Sequence, residues 1–386
     1  MTFKYSFLIA GAVALFPSFG FASDGISESQ VTFAQIAALD GPAAALGTGM
    51  RLGLTAAFEE VNASGGVHGR MVHMDSFDDG YEPDRSIQQV QSILSANQHI
   101  GLIGMVGTPT SAATQPIATD ANIPYLGPFT GAGFLRDPAF TNVMNVRATY
   151  AAETEAWIKY LVDQQGMQSI AILYQDDGFG RVGLEGVTEA LEKRGMTLAA
   201  EGTYTRNTTA VKGALLEIRK AEPDAVVMVG AYKPVAEFIK TARKLKFNPT
   251  FVNISFVGSV ALANELGEAG EDVIISQVVP FPWDDTVTVV ARYQAALAAV
   301  DPAAEPDFVS LEGYLTGRLA IEVLRAAGKD LTRDSFLSAV MNMGSVDFGG
   351  VNMTFGPGDN QGMDSVFLTR ITEAGTFEPV AIDGSS

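Results

Sequence analysis

Apolar runs of strand length alternate along the chain with stretches whose apolar residues recur at helical spacing, which predicts parallel sheets flanked by helices. Val31–Leu39 is a mostly apolar run closed by Asp40-Gly41-Pro42. Met50, Leu54, Phe58 and Val61 then share a helical face until Gly65-Gly66 stops the helix. A second unit joins a strand at Met71–Phe77 to a helix opened by Glu82-Pro83-Asp84, with Ile87, Val90 and Leu94 on one side. A third runs from Ile100–Val106 through the loop Gly107-Thr108-Pro109-Thr110 into a helix of small residues, and Pro124–Phe129 is the next strand.

From Tyr150 the rhythm restarts. A helix carrying Trp157, Ile158, Leu161 and Val162 precedes the strands Ser169–Tyr174, Leu198–Tyr204, Ala225–Val229, Thr250–Ser255 and Val273–Val279. Helices from about Arg181, at Ala210–Lys220 and at Val235–Lys246 fall between them. Two long helical stretches, Thr286–Val300 and Ser310–Ala327, follow, and Met353–Phe355, Val366–Ile371 and Glu378–Ile382 read as short antiparallel strands. No repeat-protein period appears. Two α/β lobes with a cleft between them are the simplest outcome, and such sheets bind ligands beyond the carboxyl ends of their strands.

The 386 residues, 47% apolar and 18% charged, suffice for two such lobes. Met1–Ala22 has one cation, Lys4, an apolar run from Phe7 to Phe16, Pro17, and Gly20-Phe21-Ala22 as a small-x-small cleavage site. It reads as a cleaved secretory signal, its apolar run being well short of the roughly 20 residues a spanning helix needs. A net charge of −19 argues against nucleic acid and anionic membrane as partners. With no cysteine there are no disulfides, no thiolate nucleophile, no cysteine-ligated metal and no lipid attached through an N-terminal thioether.

The loops that follow strands carry the chemistry. Gly178-Phe179-Gly180-Arg181-Val182-Gly183 matches G-x-G-x-x-G between a strand and a helix. Asp176-Asp177 would face a pyrophosphate there, and an exported chain is not expected to meet NAD, so the motif reads as a ligand-facing turn. Thr108, Thr110 and Ser111 place hydroxyls at a helix start where N–H groups favour an anion, with plain capping as the alternative. Phe129-Thr130-Gly131 ends the next strand, while Phe179, Tyr232 and Phe256 end strands of the second lobe and offer aromatic faces. His68, His73, Asp75, Asp78 and Asp79 do not converge in the number a divalent metal needs. No G-x-S-x-G, Walker loop or H-E-x-x-H occurs, so neither an enzyme nor a cofactor is expected.

Taken together, Asp40-Gly41-Pro42-Ala43, Gly65-Gly66-Val67-His68-Gly69-Arg70, Asp78-Asp79-Gly80-Tyr81-Glu82-Pro83, Gly107–Ser111, Gly127–Gly131, Tyr174–Gly180 and Gly230-Ala231-Tyr232 resemble the type I periplasmic substrate-binding proteins of ABC importers, specifically the branched-chain amino-acid-binding group. The resemblance runs in order through the whole mature chain. It implies two doubly wound α/β lobes joined by a three-segment hinge, residues 29–147 with 280–344 and residues 148–279 with 345–383, with hinge points near Val143–Ala148, Val278–Phe281 and Met343–Val346. It further implies a monomer in the periplasm that closes on one small-molecule ligand, in the manner of a Venus flytrap, and delivers it to a membrane permease.

In the family, loops matching Thr110-Ser111 and Phe129-Thr130-Gly131 hold the ligand's carboxylate and amino group, and the positions matching Phe179 and Tyr232 close from the other lobe. Tyr81, Tyr150, Asp177 and Glu312 are further candidates. Where the family places an acid for the ligand's ammonium, this chain has Ser255, and Phe179 stands where amino-acid binders often carry tyrosine. A serine does not offset the desolvation of an ammonium, so the expected ligand is an organic acid or amide with an apolar or aromatic body. Asp79, Asp176 or Glu312 would restore a cation partner if one points inward. A branched-chain or other amino acid remains the alternative ligand, and a sensor feeding a receptor the alternative role.

Overall fold

The structure is a computed structural model that describes residues 24–382; the signal and cleavage site expected in residues 1–22 lie outside the described residues. In chain order the first sheet and its helices comprise β1 (Gln30–Ala37), α1 (Ala44–Asn62), β2 (Met71–Asp78), α2 (Pro83–Ala96), β3 (Leu102–Ile103), α3 (Thr108–Asp120), β4 (Tyr125–Leu126) and β5 (Val143–Met144). The strands are parallel in the order β2-β1-β3-β4-β5. β1 is buried on both faces from Val31 to Ala37, as an interior strand under two helical layers must be. β3 and β4 are shorter than their apolar runs suggest because Gly104 and Gly127 follow at φ +62° and +57°, a left-handed conformation that ends extended pairing.

The second sheet begins with α4 (Tyr150–Ile158), β6 (Ile170–Gln175), α5 (Gly178–Glu192), β7 (Ala200–Tyr204), α6 (Lys212–Lys220), β8 (Ala225–Val229), α7 (Tyr232–Lys244), β9 (Thr250–Asn253), α8 (Ser259–Leu266) and β10 (Ile274–Gln277). The chain then returns to the first lobe as α9 (Thr288–Val300), α10 (Phe308–Ala327), α11 (Arg333–Met341) and a hairpin of β11 (Gly344–Asp347) and β12 (Asn352–Phe355). β13 (Phe367–Ile371) and β14 (Phe377–Val380) finally add antiparallel strands to the second sheet, whose order is β14-β13-β10-β9-β8-β6-β7.

α10 is buried on all sides from Phe308 to Ile321 and packs backbone to backbone on α1. A Cβ at Gly53 would lie 1.8 Å from Ser310 O, and one at Gly313 2.3 Å from Met50 O. Phe348, Val351, Met353, Phe355 and Met363 are buried in the core of the first lobe, beside Leu54, Phe58 and Leu319. The stretch from Phe348 to Met363, grouped with the second lobe in the sequence reading, thus packs on the first, because a hairpin with one apolar face needs the nearest core. Three connections join the lobes, at residues 145–149, 278–287 and 356–366. The first and third run side by side: Asn145 N–H donates to Asn360 O at 2.8 Å and Gly362 N–H donates to Asn145 O at 2.8 Å. In the second, Trp283 stacks on Phe377 of β14, with centroids 5.5 Å apart.

Candidate functional site

The carboxyl ends of both sheets face one another, and the loops beyond them are in contact. On the first lobe α3 starts at Thr108 with Gly107 as its N-cap, and no side chain caps it. The alternative of plain capping by Thr110 or Ser111 therefore does not hold, since the helix begins before either. Thr110 Oγ1 instead donates back to Val106 O and Gly107 O, and Ser111 Oγ is buried without a hydrogen-bond partner. Thr108 Oγ1 lies 2.7 Å from Thr130 Oγ1, tying the two loops together. Gly131 O accepts the N–H of Tyr150 at 2.8 Å, which anchors the start of α4.

Aromatic side chains from both lobes fill the centre. Phe256, on the short turn Ser255–Val257 between β9 and α8, is the hub. Its ring centroid lies 4.7 Å from Phe179, 5.3 Å from Phe129 and 6.0 Å from Tyr81, and Phe179 is 5.5 Å from Tyr150. All five side chains are fully buried. Two come from first-lobe loops and three from the second lobe, so the cluster spans the cleft.

Charge enters this apolar centre from residues the sequence reading did not single out. Arg147, in the first connection, is buried and holds its guanidinium carbon 4.4 Å from the Phe129 ring centroid. Its Nη2 donates to Glu312 Oε2 at 3.0 Å, and its Nε sits 2.9 Å from Glu312 Oε1 without the alignment of a hydrogen bond. Burial by itself would lower the Arg147 pKa, but the Glu312 carboxylate outweighs it and the guanidinium stays above its ordinary value. Arg136 spends its donors on Thr130 O, Ala132 O, Arg147 O and Gln361 Oε1, bracing the Thr130 loop. Burial pulls its pKa down to about 9.

Glu153 of α4 is the other unforeseen group. Its carboxylate accepts the Ser255 N–H and Ser255 Oγ, each at 2.9 Å, and the hydroxyl of Ser276. Burial raises its pKa. Ser255 thus faces an acid within its own lobe. Of the other acids considered, Asp79 is buried and accepts from Ser86 Oγ and the Tyr81 N–H, while Asp176 is exposed and pairs with Arg181.

Polar contacts cross the rim. Arg206, in the loop after β7, pairs with Glu82 Oε2 at 2.8 Å and with Asp177 Oδ2 at 2.9 Å. Asn207 Nδ2 donates to Gly80 O at 3.0 Å and Glu82 Oε1 at 2.7 Å. Tyr232 Oη accepts the Ala45 N–H at 3.4 Å, and Gln175 Nε2 donates to Tyr81 Oη at 3.4 Å. Asp177 also caps α5, accepting the Phe179 N–H. The glycines of the G-x-G-x-x-G stretch serve packing: a Cβ at Gly180 would lie 1.9 Å from Gln175 O and one at Gly183 2.4 Å from a Val229 methyl. Among the described residues no cluster of His, Asp and Glu of metal-binding size occurs.

Residues 30–376 match the periplasmic binding protein family. A solved structure of a possible leucine/isoleucine/valine-binding protein from Rhodopirellula baltica SH 1 is 34% identical, covers 95% of this chain and 99% of its own, and superposes with a TM-score of 0.87. The Leu/Ile/Val-binding protein of Escherichia coli strain K12 is 22% identical over 72% of this chain and 74% of its own length. A fatty acid ABC transporter substrate-binding protein from Thermomonospora curvata, 20% identical, shares the fold at a TM-score of 0.84 over 94% of each chain. A mixed α/β chain of two lobes, matched along nearly its whole length, belongs to the periplasmic binding protein family and has its type I fold.

Proposed function

We propose that this protein is the periplasmic solute-binding component of an ABC importer, capturing one small organic molecule between its lobes by hinge closure and releasing it unchanged. The observation that carries this reading is the aromatic cluster of Tyr81, Phe129, Tyr150, Phe179 and Phe256, which draws on loops of both lobes. A ligand held there touches both lobes together only in the closed state, so its binding energy shifts the population toward closure. The three connections at residues 145–149, 278–287 and 356–366 supply the hinge. Thr108, Thr130 and Gly131 hold the ligand from the first lobe, and Phe179, Tyr232 and Phe256 close from the second.

The named relatives point to one ligand chemistry. Leucine, isoleucine, valine and fatty acids share a carboxylate on an apolar body, and the cleft pairs aromatic faces with buried cations. The protein works as a monomer in the periplasm after loss of its leader and hands its ligand to an inner-membrane permease. A thermal-shift screen against amino acids, aliphatic and aromatic carboxylates, amides, ureas and polyamines tests the reading, because a ligand that binds only the folded state raises the melting temperature. A hit recovered unchanged supports solute binding; conversion of the hit to a product contradicts it.

A further inference from the structure

The hydrogen-bond balance of the cleft is uneven. Arg147 Nη1 is buried beside the aromatic cluster and has no hydrogen-bond partner. The Tyr150 hydroxyl, also buried, faces Thr130 without closing a hydrogen bond on it. Both donors border the same cluster: Arg147 lies over Phe129 at 4.4 Å and Tyr150 packs on Phe179. Buried donors without acceptors are destabilising and uncommon, so such a pair at the wall of a binding cleft marks a place for an acceptor from outside.

The acids tell the complementary story. Glu153 already receives three donors, Glu312 is engaged with Arg147, and Asp79 is satisfied by Ser86 and the Tyr81 N–H. Asp177, beside Tyr81 and Phe179, is likewise engaged by Arg206, Gln175 and the Phe179 N–H, so each of these carboxylates already receives donors from the protein itself. Resting on the solute-binding reading above, we infer that Arg147, with the Tyr150 hydroxyl, is the anion-recognition group of the cleft, and that the ligand is an aromatic or branched aliphatic carboxylate without an α-amino group. Glu312 holds the guanidinium in place by Nη2 and leaves Nη1 for the ligand, and Phe129, Phe179 and Phe256 take the apolar body. Thr108 and Thr130 bond to one another and so contribute to the shape of the pocket more than to the charge of the ligand.

The test is calorimetric titration of the purified protein with phenylacetate and 4-methylpentanoate, each beside its α-amino counterpart, L-phenylalanine or L-leucine, and its neutral amide. The inference expects each carboxylate to bind at least about tenfold more tightly than both counterparts. Arg147→Met combined with Glu312→Gln removes the buried pair as a unit and avoids stranding one charge, and should cost the carboxylate about tenfold or more and the amide, which accepts only neutral hydrogen bonds, several-fold less. Should that variant fail to fold, Tyr150→Phe and Arg147→Lys each remove part of the anion contact and should weaken the carboxylate selectively. An amino acid that outbinds its des-amino carboxylate overturns the inference, as does a carboxylate indifferent to all these variants; either result leaves solute binding intact. If none of these probes binds, the carboxylate class is rejected, and the broader thermal-shift screen decides the rest: a hit of another class preserves solute binding, and silence rejects both.

Discussion

Replacing Glu82 by alanine removes a contact that exists only while the lobes are together. Its two carboxylate oxygens meet Arg206 Nη2 at 2.8 Å and Asn207 Nδ2 at 2.7 Å, across the rim of the cleft. Glu82 retains 43% side-chain exposure and Arg206 22%, so water and salt screen the pair. An exposed ion pair contributes about 0.2–1 kcal/mol. Discounted for the same exposure, the bond to Asn207 adds about 0.3–0.5 kcal/mol and brings the total to roughly 0.5–1.5 kcal/mol, or about two- to tenfold in dissociation constant. Arg206 keeps Asp177, so no unpaired cation is left behind. Calorimetric titration of wild type and Glu82→Ala with a ligand from the screen, at low and high salt, reads the effect. The variant should bind more weakly at low salt, the gap should narrow at high salt, and the ligand-free melting temperature should hold. Equal affinities at both salt concentrations, or a loss of affinity matched by an equal loss of ligand-free stability, would refute the reasoning that this contact stabilises closure alone.

Further outcomes follow from particular contacts. Thr130→Ala and Tyr232→Phe should weaken ligand binding in titration with little change in melting temperature, since each removes a hydroxyl that joins loops and leaves the buried Tyr232 ring in place; unchanged affinity in both would misplace the cleft. Gly313→Ala should destabilise by about 1–3 kcal/mol in denaturant unfolding, because its Cβ would sit 2.3 Å from Met50 O and α1 and α10 must separate to admit it. Asp307, whose Oδ1 is buried without a partner, has its pKa pushed up to about 6 by burial. A raised carboxylate pKa adds stability below the unfolded-state value and loses it as pH climbs through the folded one. Asp307→Asn should therefore melt higher than wild type at pH 8, the difference shrinking towards pH 4; a difference independent of pH contradicts this.

The alternation of buried strands and one-faced helices made most of the architecture legible, since β6 and β8 are nearly unbroken apolar runs, β1 is mostly apolar, and α1, α2 and α7 keep helical spacing. What escaped was short or weakly marked. β5 spans two residues, and α8 is eight residues entered from Gly258 in a left-handed conformation. α11 is announced by a capping box of Thr332 and Ser335, a signal that was present but carries serine in place of the usual Glu or Gln. The loops of the candidate site were found because each follows a strand. Arg147 and Glu153 were missed because their partners are remote in sequence, Glu312 for one and Ser255 and Ser276 for the other. One signal pointed to Glu153: it falls on the same helical face as Trp157, so an acid sat on a stripe destined for burial. The third connection was placed too early because the apolar side of β12 looks alike whichever lobe covers it.

Closure on a ligand is the claim on which the account turns, and small-angle X-ray scattering of the same preparation with and without saturating ligand tests it most directly. The account predicts that the ligand-saturated profile matches this structure, with its lobes in contact through Glu82, Arg206 and Tyr232, and that the ligand-free protein has a larger radius of gyration. Identical profiles at saturation proven by calorimetry would contradict hinge closure as the mechanism of capture.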